Sequence, residues 1–206
     1  MKNNFELNDN HIDVLQEISN IGSGNALTSL SKLVDKKIVM SPPSARFVNF
    51  GNASDFLGGA EQVMLAVLVN VHSSNINGIM MFLLEYVHAK SLICSILNRE
   101  CSENFEMGEI ELSVISEVGN ILNSSYLNAL ATLIEEPISV SIPYVSIDMA
   151  AAILSVPAIE FGKVSDKALF IKNMFGPKDI NITGYFLFVP DADSFKHVFS
   201  KLGVGL

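Results

Sequence analysis

The chain of 206 residues has no tryptophan, only two cysteines, and 13 basic residues against 22 acidic ones, for a formal net charge of −9. Each shortage excludes something. Lys and Arg are few and unclustered, so no run could neutralise consecutive phosphates, and nucleic acid is not expected as a partner. Neither Cys94 nor Cys101 has a further Cys or His at zinc spacing, so no metal site is expected on them. Cys94 lies in the apolar stretch SLICSIL and reads as a buried small hydrophobe. This cysteine usage points to a reducing, cytoplasmic compartment. Long apolar runs are also missing. A membrane-spanning helix needs about 20 apolar residues, and the best runs, Val63 to Val69 and Ile79 to Leu84, are strand-sized. The N-terminal MKNNFELNDNHID is polar and lacks the core of a signal peptide, so no membrane insertion is expected. None of His11, His72, His88 and His197 sits in a triad-like or metal-ligand spacing, so each is read as a surface or structural residue. What remains is an apolar, weakly charged chain: 49% hydrophobic and 17% charged residues exclude disorder and allow a sizeable core.

The chain is internally duplicated. Residues 11–43 align with 111–143 without a gap, with identities at Val14/Val114, Glu17/Glu117, Asn20/Asn120, Leu30/Leu130, Ile38/Ile138 and Pro43/Pro143. Other apolar positions exchange one aliphatic for another, as at Leu15/Ile115 and Ile18/Val118. The match resumes at Ile76-Asn-Gly78 and Ile182-Thr-Gly184, a slightly larger offset that places a few extra residues between 150 and 180. Each half reads helix, strands, helix. Helical spacing covers 11–35 and about 107–136, with Leu15, Ile18, Leu30 and Leu33 on one side. Residues 44–50, 62–71 and 77–84 read as strands, with counterparts at 144–149, 167–174 and 182–189, and closing helices follow at 86–98 and 192–202. The expected fold is a single α/β domain over 1–206, built from two repeats of about 11–100 and 107–206. It would hold one continuous, mostly antiparallel sheet of about six strands with a pseudo-two-fold axis. Each half alone has too little core to be stable.

On a helical wheel of about 100° per residue, Asp13, Glu17, Asn20 and Gly24 fall within an arc of about 60°. Ser113, Glu117, Asn120 and Ser124 occupy the same arc in the second repeat. A polar stripe of this kind is ordinarily a solvated helix face. Here the Glu and the Asn persist while their solvent-side neighbours drift, as at Gln16/Ser116 and Thr28/Asn128. Asn also costs a helix interior about 0.6 kcal/mol relative to Ala. Two oxygens on one helix are too few for calcium or magnesium. An amide can hold a water through both donor and acceptor, and a carboxylate can anchor a partner's cation. Such a pair suits phosphoryl hydrolysis, where positioning does most of the work.

At these residues the chain resembles the CheC family of chemotaxis phosphatases. The family signature is an Asp or Ser, then Glu, Asn and a distant Pro. It is met by Asp13, Glu17, Asn20 and Pro43, and again by Ser113, Glu117, Asn120 and Pro143. The resemblance implies two long helices carrying the signatures on one face of the sheet. It also implies hydrolysis of the aspartyl phosphate of phosphorylated CheY. Asn20 and Asn120 would direct the attacking water, and Glu17 and Glu117 would engage a lysine of that regulator. No cofactor is intrinsic, since Mg2+ would belong to the regulator. A CheD deamidase is implied as a second partner, docking at Val145 to Met149 with Asp148 as the contact residue. The rival reading is a non-catalytic module for binding CheY or CheD, related to the middle domain of flagellar switch proteins. The chain, ending at Leu206, is expected to lack the extra C-terminal domain of those proteins. Gly22-Ser-Gly24 departs from the family pattern and is expected to break or kink the first long helix, leaving the second site better ordered.

Overall fold

The computed structural model describes residues 9–34, 37–102, 105–161, 167–177 and 181–204. The polar segment before residue 9 therefore lies outside the described residues, as does Asp35 at the expected end of the first helix. Two long helices of equal length head the two halves: α1 (Asp9–Val34) and α4 (Glu109–Ile134), each of 26 residues. The remaining elements of the first half are β1 (Ile38–Met40), β2 (Ser44–Asn49), the short helix α2 (Ala53–Phe56), β3 (Val63–His72), β4 (Asn77–Glu85) and α3 (Tyr86–Ile96). Those of the second half are β5 (Ser139–Val140), β6 (Tyr144–Met149), α5 (Ala150–Phe161), β7 (Lys167–Pro177), β8 (Ile182–Pro190) and α6 (Ala192–Lys201). The same order of elements, a long helix, two strands, a helix, two strands and a helix, recurs over Asp9–Ile96 and Glu109–Lys201. Helices α2 and α5 are additions to the expected order. The lengthening of the second half begins at α5, which has 12 residues where α2 has four. The rest of the expected insertion region includes 162–166 and 178–180, outside the described residues.

The eight strands form one sheet in the order β1–β7–β8–β4–β3–β5, with β2 also along β7 and β6 also along β3. Eight segments therefore fill six strand positions, and every pairing among them is antiparallel. The halves exchange strands. β2 of the first half pairs with β7 of the second, with Phe47 opposite Leu169, and β6 of the second pairs with β3 of the first, with Ser146 opposite Ala66. The hairpins β3–β4 and β7–β8 join through β4 and β8, where Phe82 faces Phe186. Neither half could satisfy its edge hydrogen bonds alone, which adds to the shortage of core expected from size.

Side chains alternate across the sheet with the two-residue period of a strand. On one face, Leu65, Val67, Met80, Phe82, Ile171, Phe186 and their neighbours pack under α1, α4, α3 and α6. On the other, Met64, Ala66, Met81, Phe170, Tyr185 and Leu187 pack under α2 and α5. Leu15, Ile18 and Leu30 of α1 are buried as expected, whereas Leu33, in its last turn, stays 41% exposed. Among the described residues no helix is long and apolar enough to cross a membrane.

Two expectations are corrected. Cys94 is buried, but it is not a free thiol: it forms a disulfide with Cys101, closing the turn between α3 and α4. The two cysteines are seven positions apart, and α3 ends within that interval, so the chain reverses and brings them together. The second correction is that α1 runs unbroken through Gly22-Ser23-Gly24. Tertiary packing overrides the low helix propensity there. A Cβ on Gly22 would lie 2.6 Å from Cδ1 of Tyr126 on α4, so this glycine makes room for the aromatic ring between the two long helices. Gly119 of α4 makes the matching approach to the sheet, where a Cβ would lie 2.4 Å from Cβ of Val67.

Candidate functional site

Sheet contacts on one side of α1 and α4 leave the opposite side of each helix to solvent. Asp13, Glu17 and Asn20 are exposed on α1. Ser113 and Glu117 are exposed on α4, and Asn120 is half-buried. The Glu and Asn of each signature are three residues apart, so they neighbour each other on the helix surface. Helix α1 also packs on α4, so both pairs stand on the same layer of the molecule. The segments leading to the two signature prolines are anchored alike on the opposite repeat. Ser41 N–H donates to Met174 C=O at 2.8 Å, and Ser141 N–H donates to Asn70 C=O at 3.0 Å.

The first site has a further member. The Gln16 side chain donates from Nε2 to Pro43 C=O at 2.7 Å and to Oδ1 of Asn20 at 3.3 Å, and its Oε1 accepts from Ala45 N–H at 3.3 Å. This glutamine ties the signature asparagine to the signature proline. The sequence does not single it out, because its counterpart in the second repeat is Ser116. The signal that could have found it is its place one helical turn before Asn20, where i and i+4 side chains meet. Beside it lies a groove of about 280 Å³ lined by Asn20, Gly24, Leu27, Met40 and Pro43.

Beneath the stripe, the two helices share buried polar contacts. Ser23 Oγ and the Tyr126 hydroxyl meet at 2.6 Å, and Ser23 donates to Oδ1 of Asn173 on β7 at 3.0 Å. Burial pushes the Tyr126 phenol up to about 12. On α4, Asn123, which occupies the repeat position of Ser23, donates to Val67 C=O at 3.0 Å. The start of α4 is held by Glu111, which accepts from Gly108 N–H at 2.9 Å and pairs with Arg99. The bond from Arg99 and the local backbone N–H groups hold the Glu111 carboxyl below the usual carboxylate range.

Asp148 stands apart from both pairs. It lies on β6, the edge strand opposite Met64, is exposed, and accepts from its neighbour Met149 N–H at 2.7 Å. A groove of about 240 Å³ opens beside it, lined by Tyr144, Ser146, Ala152, Ile153 and Val156. This groove includes Ala66 and Met81, so it lies on the sheet face under α5, away from α1 and α4.

The fold places the chain in a class of duplicated α/β domains shared by chemotaxis and flagellar switch proteins. Its architecture matches the crystal structure of Thermotoga maritima FliY with a TM-score of 0.75 at 20% identity, covering 97% of this chain and 98% of that one. It also matches a chain of the FliG–FliM complex from H. pylori with a TM-score of 0.68 at 10% identity, covering 94% of this chain and all of that one. In sequence, the CheC-like family profile matches residues 11–45 and 110–147, the two stretches that hold the signatures. The chain is 29% identical to the CheY-P phosphatase CheC of Bacillus subtilis (strain 168) over 204 residues, covering 97% of each. It is 25% identical to the flagellar motor switch phosphatase FliY of the same organism over 144 residues, 69% of this chain and 37% of that protein. The chain is thus similar to CheC-like proteins, and the two stretches matched by that family's profile are those that carry Glu17/Asn20 and Glu117/Asn120.

Proposed function

We propose that the protein is a phosphatase that hydrolyses the aspartyl phosphate of phosphorylated CheY. One observation carries the reading: the same Glu/Asn pair stands on the outward face of two twin helices, at Glu17/Asn20 and Glu117/Asn120. In this reading each Asn orients an attacking water in line with the phosphorus, and each Glu anchors a lysine of the regulator. The Mg2+ belongs to the regulator. The protein's contribution is positioning, which suits side chains projected from rigid, packed helices.

The edge strand β6 is assigned to the second partner, a CheD deamidase, with Asp148 as a contact. Its support is the exposed apolar surface around it: Tyr144 is 68% and Met149 51% exposed. An unpaired strand edge is itself a docking surface.

The test is decay of phosphorylated CheY with wild-type protein and with Asn20→Ala/Asn120→Ala. Acceleration by the wild type, reduced on the order of 10²-fold in the double variant, supports the reading. No acceleration, with CheD absent or present, would leave the non-catalytic binding module as the reading. Asp148→Lys should weaken CheD binding without changing basal dephosphorylation, and unchanged CheD affinity would remove that assignment.

A further inference from the structure

We infer that Gln16 is a positioning residue that sets the orientation of the Asn20 amide, and that the two sites are therefore unequal, with the first more strongly preorganised. The orientation of Gln16 follows from its backbone partners. Ala45 N–H can only donate, so the Gln16 atom facing it is the carbonyl oxygen. Pro43 C=O can only accept, so the atom facing it is the Gln16 nitrogen. That same nitrogen has a second hydrogen, and it points to Asn20. Asn20 must then turn its oxygen toward Gln16 and its NH2 group away. The amide of the signature asparagine is thus fixed in one of its two flipped states by a chain of hydrogen bonds that ends on backbone. The ordering entropy of that side chain is lost on folding, before any partner arrives.

The second repeat has the same helix, the same proline and the same strand, but Ser116 stands where Gln16 does. One hydroxyl on a single carbon cannot span from the helix to the strand and also reach Asn120. Among the described residues, neither Ser116 nor Asn120 forms a side-chain hydrogen bond. The order of the two sites is therefore the reverse of what Gly22-Ser-Gly24 led the sequence reading to expect.

The kinetic arm of the test rests on the phosphatase reading; the structural arm does not. In the structural arm, side-chain amide NMR is recorded on wild type, Gln16→Ser and the isosteric Gln16→Glu, which can accept from Ala45 but cannot donate. The Asn20 amide should be more ordered than that of Asn120 in wild type and should match it in Gln16→Ser, whereas the Gln16→Glu carboxylate, able to accept from the Asn20 NH2 group, should turn the amide over. A wild-type Asn20 amide as mobile as that of Asn120 overturns the inference, whatever the protein's activity. In the kinetic arm, Asn120→Ala isolates the first site. Adding Gln16→Ser or Gln16→Glu should lower kcat about tenfold with KM unchanged, the pattern of lost positioning. Unchanged kcat, or a loss confined to KM, overturns it. If wild type does not accelerate decay at all, the phosphatase reading fails, and the amide spectra still decide the role of Gln16.

Discussion

The hydroxyls of Ser23 on α1 and Tyr126 on α4 meet at 2.6 Å inside the core, directly behind the signature stripe of α1. Ser23 gives its one proton to Asn173, so Tyr126 is the donor of this bond. The contact locks the two long helices to each other and to β7. It is possible because Gly22, one residue earlier, leaves room for the ring. At the repeat positions the sizes are reversed, with Leu122 for Gly22 and Ala26 for Tyr126, and both of those residues are buried.

Tyr126→Phe should lower unfolding stability by about 1 kcal/mol through the lost hydrogen bond. Gly22→Ala should cost about 1–3 kcal/mol by overpacking against the ring. In Gly22→Ala/Tyr126→Leu the two losses should be less than additive, because the clash and the ring disappear together. Urea midpoints measure all three, and strict additivity would show that the glycine is not there for the tyrosine.

Tyr126 predicts an alkaline limb. Its folded phenol is raised from 10.0 to about 12, chiefly by burial. The unfolded state loses its proton first, so stability should be intact below pH 10 and fall as pH rises toward about 12. Tyr185 is raised in the same direction, by burial and then by the charge of Glu85. In Tyr126→Phe the limb should flatten. An unchanged slope would assign it to Tyr185.

Glu136 predicts the acid limb. Its carboxyl is lowered from 4.5 to about 2, first by the hydrogen bond from Lys201, then by those from Asn75 and His197. A depressed acid contributes stability above its unfolded pKa, so this contribution should be lost as pH falls from about 4.5 to about 2. Glu136→Gln should reduce the slope of the urea midpoint in that window and leave it unchanged near pH 7. The same slope in the variant would exclude this cluster as the source.

The disulfide between Cys94 and Cys101 closes a short loop just before α4. Loop-closure entropy gives about 2 kcal/mol for so short a loop. Dithiothreitol should lower the urea midpoint of wild type and leave that of Cys94→Ser/Cys101→Ser unmoved. A wild-type midpoint indifferent to reductant would show that the bond contributes nothing to stability.

Single substitutions test the inequality of the sites. Asn20→Ala should cost more dephosphorylation of CheY than Asn120→Ala, since the first amide is the one held in place. Equal losses would show that holding the amide does not raise the rate.

Much of this was legible in the chain because it depends on local periodicity. Helical spacing of Leu15, Ile18 and Leu30 located the buried side of α1, and the same arithmetic placed Glu17 and Asn20 on the outward one. The duplication doubled every signal, so the strands 144–149 and 182–189 could be read from 44–50 and 77–84. What the chain could not disclose were contacts between residues far apart in sequence. The exchange of β2 and β6 between halves, the use of Gly22 by Tyr126 and the reach of Gln16 to Pro43 all arise when separate segments are brought together. Periodicity records which side of an element faces inward, because burial repeats with the turn of a helix or the pleat of a strand. It does not record what waits on that side, since the neighbour is set by packing of the whole sheet and its helices.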